Sequence, residues 1–120
     1  MVSLRSTRAT GNRLRKREEF QAVYELGERV PGSLFFLYIL ENGRSESRLG
    51  ITASRKVGKN VVRNQIRRRL REIFRVHRDE VPTPCDVVVN VKKAAAEADF
   101  GQLEKGFTQA ILKWKRNKAG

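Results

Sequence analysis

The chain has 120 residues and 26 Lys and Arg against 13 Asp and Glu, a formal charge of +13 and a pI near 10.9. Apolar residues make up 39%, enough for the core of one small domain and too many for a wholly disordered chain. No window reaches the roughly eighteen apolar residues of a membrane span, and no apolar run follows the charged start as in a secretory signal. One Cys and one His exclude a disulfide framework and a Cys-based or His-pair metal site. A reducing, cytoplasmic setting is expected.

Residues 1–12 (MVSLRSTRATGN) lack apolar periodicity and carry Arg5 and Arg8. They read as a mobile basic arm, ahead of one domain over 13–116 and a tail over 117–120. Residues 17–26 (REEFQAVYEL) place Phe20, Val23 and Tyr24 at helical spacing. Glu18 and Glu19 suit the positive end of that helix's dipole, and Gly27 suits its C′ position. The apolar run 33–41 (SLFFLYILE) reads as a strand buried on much of both faces. Phe35 and Phe36 must then point to opposite faces, and periodicity does not say which way each points. Asn42-Gly43 favours a hairpin. The alternating run 47–54 (SRLGITAS) is therefore expected to pair antiparallel with 33–41.

Asn60 suits an N-cap. Residues 61–76 then carry Val62, Ile66, Leu70, Ile73 and Phe74 as one apolar helical stripe. His77 reads as a surface residue favoured by that helix's dipole. Pro82 and Pro84 end the helical run. Residues 85–92 (CDVVVNVK) read as a strand that opens on a half-buried Cys85. Asp99 and Gln102 form a capping-box pattern. It opens a helix over 100–116 with the stripe Phe100, Leu103, Phe107, Ala110, Ile111 and Trp114, the last an anchor to the core. The order helix, strand, strand, helix, strand, helix specifies an α+β domain, with helices layered on a small sheet.

Charge is segregated along the chain. From Arg55 to Arg78 ten basic residues meet one acid, Glu72. On the helix Arg63, Arg67 and Arg71 recur every fourth residue, beside Asn64 and Arg68. Like charges at that spacing repel by a few tenths of a kcal/mol per pair, and a polyanion relieves the repulsion. The planar guanidinium suits phosphate oxygens and can stack on bases. The Asn64 amide can address a sugar, a base or a hydrated metal ion near phosphate. Arg13, Arg15 and Lys16 add charge before the first helix. A nucleic-acid partner follows, with no membrane and no small-molecule substrate. The acids lie away from the basic helix, so the carboxylate cluster of a two-metal nuclease is missing. A ribosomal or assembly-type RNA-binding protein shares this charge. A DNA regulator reading duplex with the 61–76 helix is a third reading, and a protein-only nuclease a fourth.

Three runs sharpen the reading: Arg48-Leu49-Gly50-Ile51, Ser54-Arg55-Lys56-Val57-Gly58, and Val62-Arg63-Asn64-Gln65-Ile66-Arg67-Arg68 followed by Arg71-Glu72-Ile73-Phe74. Together they resemble the signature of the bacterial ribonuclease P protein subunit. The opening Arg13-Leu14-Arg15-Lys16-Arg17-Glu18-Glu19-Phe20, with Val23, Tyr24 and Gly27, resembles that family's first helix. Phe35 to Leu40 and Asp86 to Val89 resemble two of its strands. The likeness covers roughly residues 12–114, with Arg67 standing where Lys is common and the arm outside the pattern.

This resemblance implies a two-layer sandwich of a small mixed sheet and three helices. It also implies a left-handed β-α-β crossover, where the general rule for parallel strands gives a right-handed one. It implies no catalytic side chain in the protein. The catalyst is an RNA that removes the 5′ leader of precursor tRNA, with magnesium held mainly by the RNA. The implied partners are ribonuclease P RNA and the precursor leader. The implied RNA-binding set is Arg55, Lys56, Lys59, Arg63, Asn64, Arg67, Arg68 and Arg71, with Arg13, Arg15 and Lys16. Phe20, Tyr24, Phe36 and Tyr38 are implied to line a cleft for the single-stranded leader. By spacing alone Phe20 and Tyr24 suit a core equally well.

Overall fold

The fold is seen in a computed structural model that describes residues 13–119. The arm expected at 1–12 lies outside the described residues. Helix α1 (Arg17–Leu26) leads to strands β1 (Glu28–Val30), β2 (Phe35–Glu41) and β3 (Arg48–Thr52). A 3-10 turn (Arg55–Val57) then enters helix α2 (Asn60–His77). Strand β4 (Cys85–Val91) and helix α3 (Phe100–Ala119) complete the chain. The class is α+β as expected, and the described residues form three α-helices and a mixed sheet of four strands.

The expected hairpin is not formed. The sheet order is β1-β2-β4-β3, with β2 antiparallel and β3 parallel to β4. The physical reason lies in β4. Its Val87, Val88 and Val89 are all buried, and a strand apolar on both faces belongs at the centre of a sheet. It inserts between the two runs that the Asn42-Gly43 turn was expected to join. Asn42 instead ties that loop to β4, its Nδ2 donating to Asp86 Oδ1 at 2.8 Å. Strand β1 was not expected: three residues (ERV) carry too little alternation to be read.

Period two in β2 and β4 sorts their side chains onto two faces. Phe35, Leu37, Ile39, Val87 and Val89 join the main core with Ile66, Leu70, Ile73 and Phe74 of α2 and Leu103, Phe107, Ile111 and Trp114 of α3. The rings of Phe74 and Phe107 meet edge to face, 6.3 Å between centroids. On the opposite face Val88 packs with Leu14 and with Val23 of α1. The expected two layers therefore gain a third where α1 crosses the sheet. The chain passes closely here: a Cβ on Gly27 would stand 2.6 Å from the Val23 carbonyl oxygen. Gly27 has φ −82°, so close approach selects glycine there, not a left-handed cap.

Several local expectations are adjusted. Lys59, not Asn60, occupies the N-cap of α2, and the Asn60 side chain accepts a hydrogen bond from Arg63 instead. The capping box of α3 forms as expected, Gln102 N donating to Asp99 Oδ1 at 2.8 Å and Asp99 N to Gln102 Oε1 at 2.9 Å. Phe100 leaves the apolar stripe and is exposed. Residues 117–119, expected as a tail, continue α3. There Asn117 donates to Glu28 and Lys118 pairs with Glu41 at 2.9 Å. His77 is not simply on the surface: its Nδ1 lies 2.6 Å from Glu80 and its Nε2 2.7 Å from Glu104 on α3. Cys85 is fully buried, and that burial pushes its thiol pKa up to about 11. Trp114 is buried as expected.

Candidate RNA-binding site

Helix α1 and the sheet face beneath it carry four of the aromatic side chains singled out in the sequence, Phe20 and Tyr24 from the helix and Phe36 and Tyr38 from β2. Phe35 points into the main core and Phe36 to the α1 face, which settles the alternative that periodicity left open. Tyr24 and Tyr38 meet edge to face, 4.8 Å between centroids, and Tyr24 Oη lies 3.0 Å from Thr52 Oγ1. Phe20 seats over Gly50, where a Cβ would come within 2.7 Å of its ring. Phe36 is half-buried, with the Arg29 guanidinium 4.2 Å and the Lys92 ammonium 4.9 Å from its ring centroid. Sequence reading missed Arg29 and Lys92. The signal was the short strand β1, whose register places Arg29 opposite Tyr38.

The angle of α1 is fixed at its first turn. Glu19 Oε1 accepts from the backbone N–H groups of Arg15 and Lys16 at 2.8 and 2.9 Å. These bonds, with Arg48 behind them, hold the Glu19 carboxyl below the usual range. Arg48 donates to Glu19 Oε2 at 3.1 Å and forks onto Asp86 at 2.9 and 2.8 Å. The Asp86 hydrogen bond is the main cause of the raised Arg48 pKa. One guanidinium thus joins α1, β3 and β4 by charge-assisted hydrogen bonds.

The basic ridge of α2 rises beside the outer edge of β3. Arg13 and Leu14 lie along that edge, Leu14 N donating to the Leu49 carbonyl at 3.0 Å. Arg71 is half-buried, and its pKa is lowered first by burial and then by Arg13, Arg67 and Arg68. Four cations therefore converge without a neutralising acid among those causes. Arg13, Arg15, Phe20, Gly50, Arg67 and Arg71 line one recess. The aromatic face and the basic ridge meet there, around the edge of β3.

The remaining sequence candidates divide. Arg55, Lys56 and Lys59 are exposed on the turn into α2, and Arg15 and Lys16 are exposed at the start of α1. Arg68 is exposed on the ridge. Arg63 is engaged locally, its Nε donating to the Gly58 carbonyl at 3.1 Å and its guanidinium also to Asn60. Asn64 Oδ1 accepts from Arg67 at 3.2 Å. Among the described residues no three His, Cys, Asp or Glu side chains gather as metal ligands, and Asn64 stands among cations. This donor set does not fit a magnesium ion held by the protein. Among the described residues no helix is long and apolar enough to cross a membrane.

Comparison with known proteins agrees with this geometry. The sequence model of the family described as Ribonuclease P matches residues 9–115. A ribonuclease P protein component from Desulfovibrio desulfuricans is 46% identical over 112 residues, which cover 90% of this chain and 86% of that protein. A structure of a Staphylococcus aureus RNase P protein mutant with defective mRNA degradation activity superposes with TM-score 0.83 at 29% identity, covering 96% of this chain and 98% of the other. The RNase P protein from Thermotoga maritima superposes with TM-score 0.75 at 32% identity, covering 83% of this chain and 94% of that one. The basic ridge, the aromatic sheet face and these likenesses agree, and the chain belongs to the ribonuclease P protein family.

Proposed function

We propose that this chain serves as the protein component of a cytoplasmic ribonuclease P. It binds the ribonuclease P RNA and the 5′ leader of precursor tRNA and promotes endonucleolytic removal of that leader. The recess shared by Phe20 with Arg67 and Arg71 carries this reading. A single RNA strand needs aromatic faces for its bases and cations beside them for its phosphates. Phe20, Tyr24, Phe36 and Tyr38 offer the first, and Arg13, Arg67, Arg68 and Arg71 the second. Arg55, Lys56 and Lys59 extend the positive surface along the turn, and Arg15 and Lys16 along the start of α1. Arg63 acts through the turn it holds, bracing the residues that open the ridge.

In this reading the chain supplies no acid or base for the cut. Glu19, Glu41, Glu72 and Asp86 are all engaged with cations. As the family resemblance implies, catalysis falls to the RNA subunit, with magnesium held mainly there. The protein lowers phosphate repulsion between leader and catalyst, an effect that grows as magnesium falls.

The test is precursor-tRNA cleavage by a bacterial ribonuclease P RNA at low magnesium, with and without the chain. Stimulation is expected from the wild type and is largely lost in Arg67→Ala plus Arg68→Ala, and the protein alone cuts nothing. RNA binding without stimulation would leave a general RNA-binding protein.

A further inference from the structure

The edge of the sheet away from the basic ridge carries a second recess. The order β1-β2-β4-β3 puts β1 and β3 at opposite edges. The ridge rises beside β3, and α3 packs on the β1 side. Between α3 and the turn from β1 to β2 lies a recess of about 380 Å³, at the small end of the range for ligand pockets, roughly 300–1,000 Å³. Leu34, Phe35, Ala110 and Leu112 give it an apolar wall. Gly106 keeps that wall flat. Glycine weakens a helix interior, but a Cβ here would stand 3.3 Å from Phe35 Cζ. Ser33 and Gln109, both exposed, add hydrogen-bonding side chains.

The charge on this recess is uncompensated. No Asp or Glu lines it, whereas Lys113 and Arg116 do. They stand three residues apart, as neighbours on one helix face. The Lys113 ammonium donates to the Pro31 carbonyl at 3.4 Å, which draws its charge toward the turn. Lys92 Nζ donates to the next carbonyl, Gly32, at 3.0 Å. The two acids that α3 reaches along this edge, Glu28 and Glu41, are taken by Asn117 and Lys118. Among the described residues neither Lys113 nor Arg116 makes an ion pair.

We infer that this recess binds one nucleoside 5′-phosphate unit, its base against the wall of Leu34, Ala110 and Leu112 and its phosphate on Lys113 and Arg116. The guanidinium fork matches phosphate oxygens, and the neighbouring ammonium adds a point charge. A base is a flat apolar body with a polar edge, which suits an apolar wall beside the Ser33 hydroxyl and the Gln109 amide. Phe35 and Phe36 face opposite sides of β2, so the sheet separates this recess from the α1 face. Occupancy here is independent of leader binding there.

The experiment follows the backbone amides of the full chain by NMR during titration with 5′-AMP and 5′-UMP. Saturable shifts are expected at Gly32, Ser33 and Gly106. Each nucleotide should bind at least ten-fold more tightly than adenosine, uridine or inorganic phosphate, because only the nucleotide uses both wall and cations. Lys113→Glu plus Arg116→Glu should abolish these shifts. Lys105→Glu plus Lys115→Glu makes the same change of charge on α3 outside the recess and should leave them. Both pairs are exposed, and thermal midpoints near wild type are expected. A five-nucleotide single-stranded RNA distinguishes the sources. If it shifts the same amides at lower concentration than the mononucleotides, the unit belongs to an RNA chain; otherwise it is a free nucleotide. Shifts confined to the α1 face and the basic ridge overturn the inference and leave the proposed function standing. Inorganic phosphate binding as tightly as the nucleotides overturns it too, as does equal loss in the two double variants. Failure of the proposed function would show instead in precursor cleavage, with the recess shifts unaffected.

Discussion

Phe20 stands on Gly50, its Cε2 and Cζ 2.7 Å from where a Cβ on residue 50 would be. The Phe20 ring can reach over β3 from α1 only because that position carries no side chain. Gly50→Ala must displace the Phe20 ring from the sheet and disturb the seat of α1. Overpacking of this kind costs about 1–3 kcal/mol. Urea unfolding should show that loss. Affinity for a leader-bearing precursor should fall further than affinity for one with a single-nucleotide leader. An unchanged midpoint would mean that α1 shifts freely.

Phosphate contact predicts a salt dependence. If about six leader phosphates are neutralised, log K against log salt should slope near −4, at roughly 0.7 per phosphate of a single strand. Arg68→Ala should flatten the slope by about 0.7–1. Filter binding across a salt series measures both. A wild-type slope near zero would count against a phosphate-dominated interface.

Arg48 is braced twice, on Asp86 and on Glu19. Among the described residues, Arg48→Ala leaves the buried Asp86 with Asn42 as its side-chain partner. Removing one partner of a largely buried ion pair destabilises by about 3–5 kcal/mol. Arg48→Lys should recover only part of this, because an ammonium cannot fork onto a carboxylate. Chemical denaturation of the three proteins gives the ranking, and a loss below about 1 kcal/mol for alanine would refute it.

His77 joins α2 to α3 through Glu104 and also holds Glu80. The hydrogen bonds to Glu104 first and Glu80 second raise its pKa above the usual histidine value. A histidine that binds its proton more tightly when folded stabilises fully below its unfolded pKa, about 6.5. That contribution fades as pH rises through the higher folded pKa. For a partly exposed cluster it amounts to about 0.5–1 kcal/mol. Unfolding curves from pH 5.5 to 9 should show this decline in the wild type and lack it in His77→Gln.

The helices were legible because their stripes are long: Ile66, Leu70, Ile73 and Phe74 fix one face of α2 without tertiary information. Strand pairing was not, because Asn42-Gly43 is a local signal and the centre of the sheet is decided by β4, more than forty positions downstream of that turn. The cations of the ridge were legible from spacing on one helix, but their division of labour was not. Whether Arg63 faces outward or braces the Gly58 carbonyl depends on the path of the turn. Arg29 and Lys92 went unread because they approach Phe36 only once β1 and β4 flank β2.

Cys85 carries the only thiol of the chain, fully enclosed at the start of the central strand. Such a thiol reacts with an alkylating reagent only when its surroundings open. Its modification rate under native conditions is therefore an internal clock for the parting of β4 from its neighbours. Probe cysteines placed on the surface can be labelled selectively while that clock stays silent.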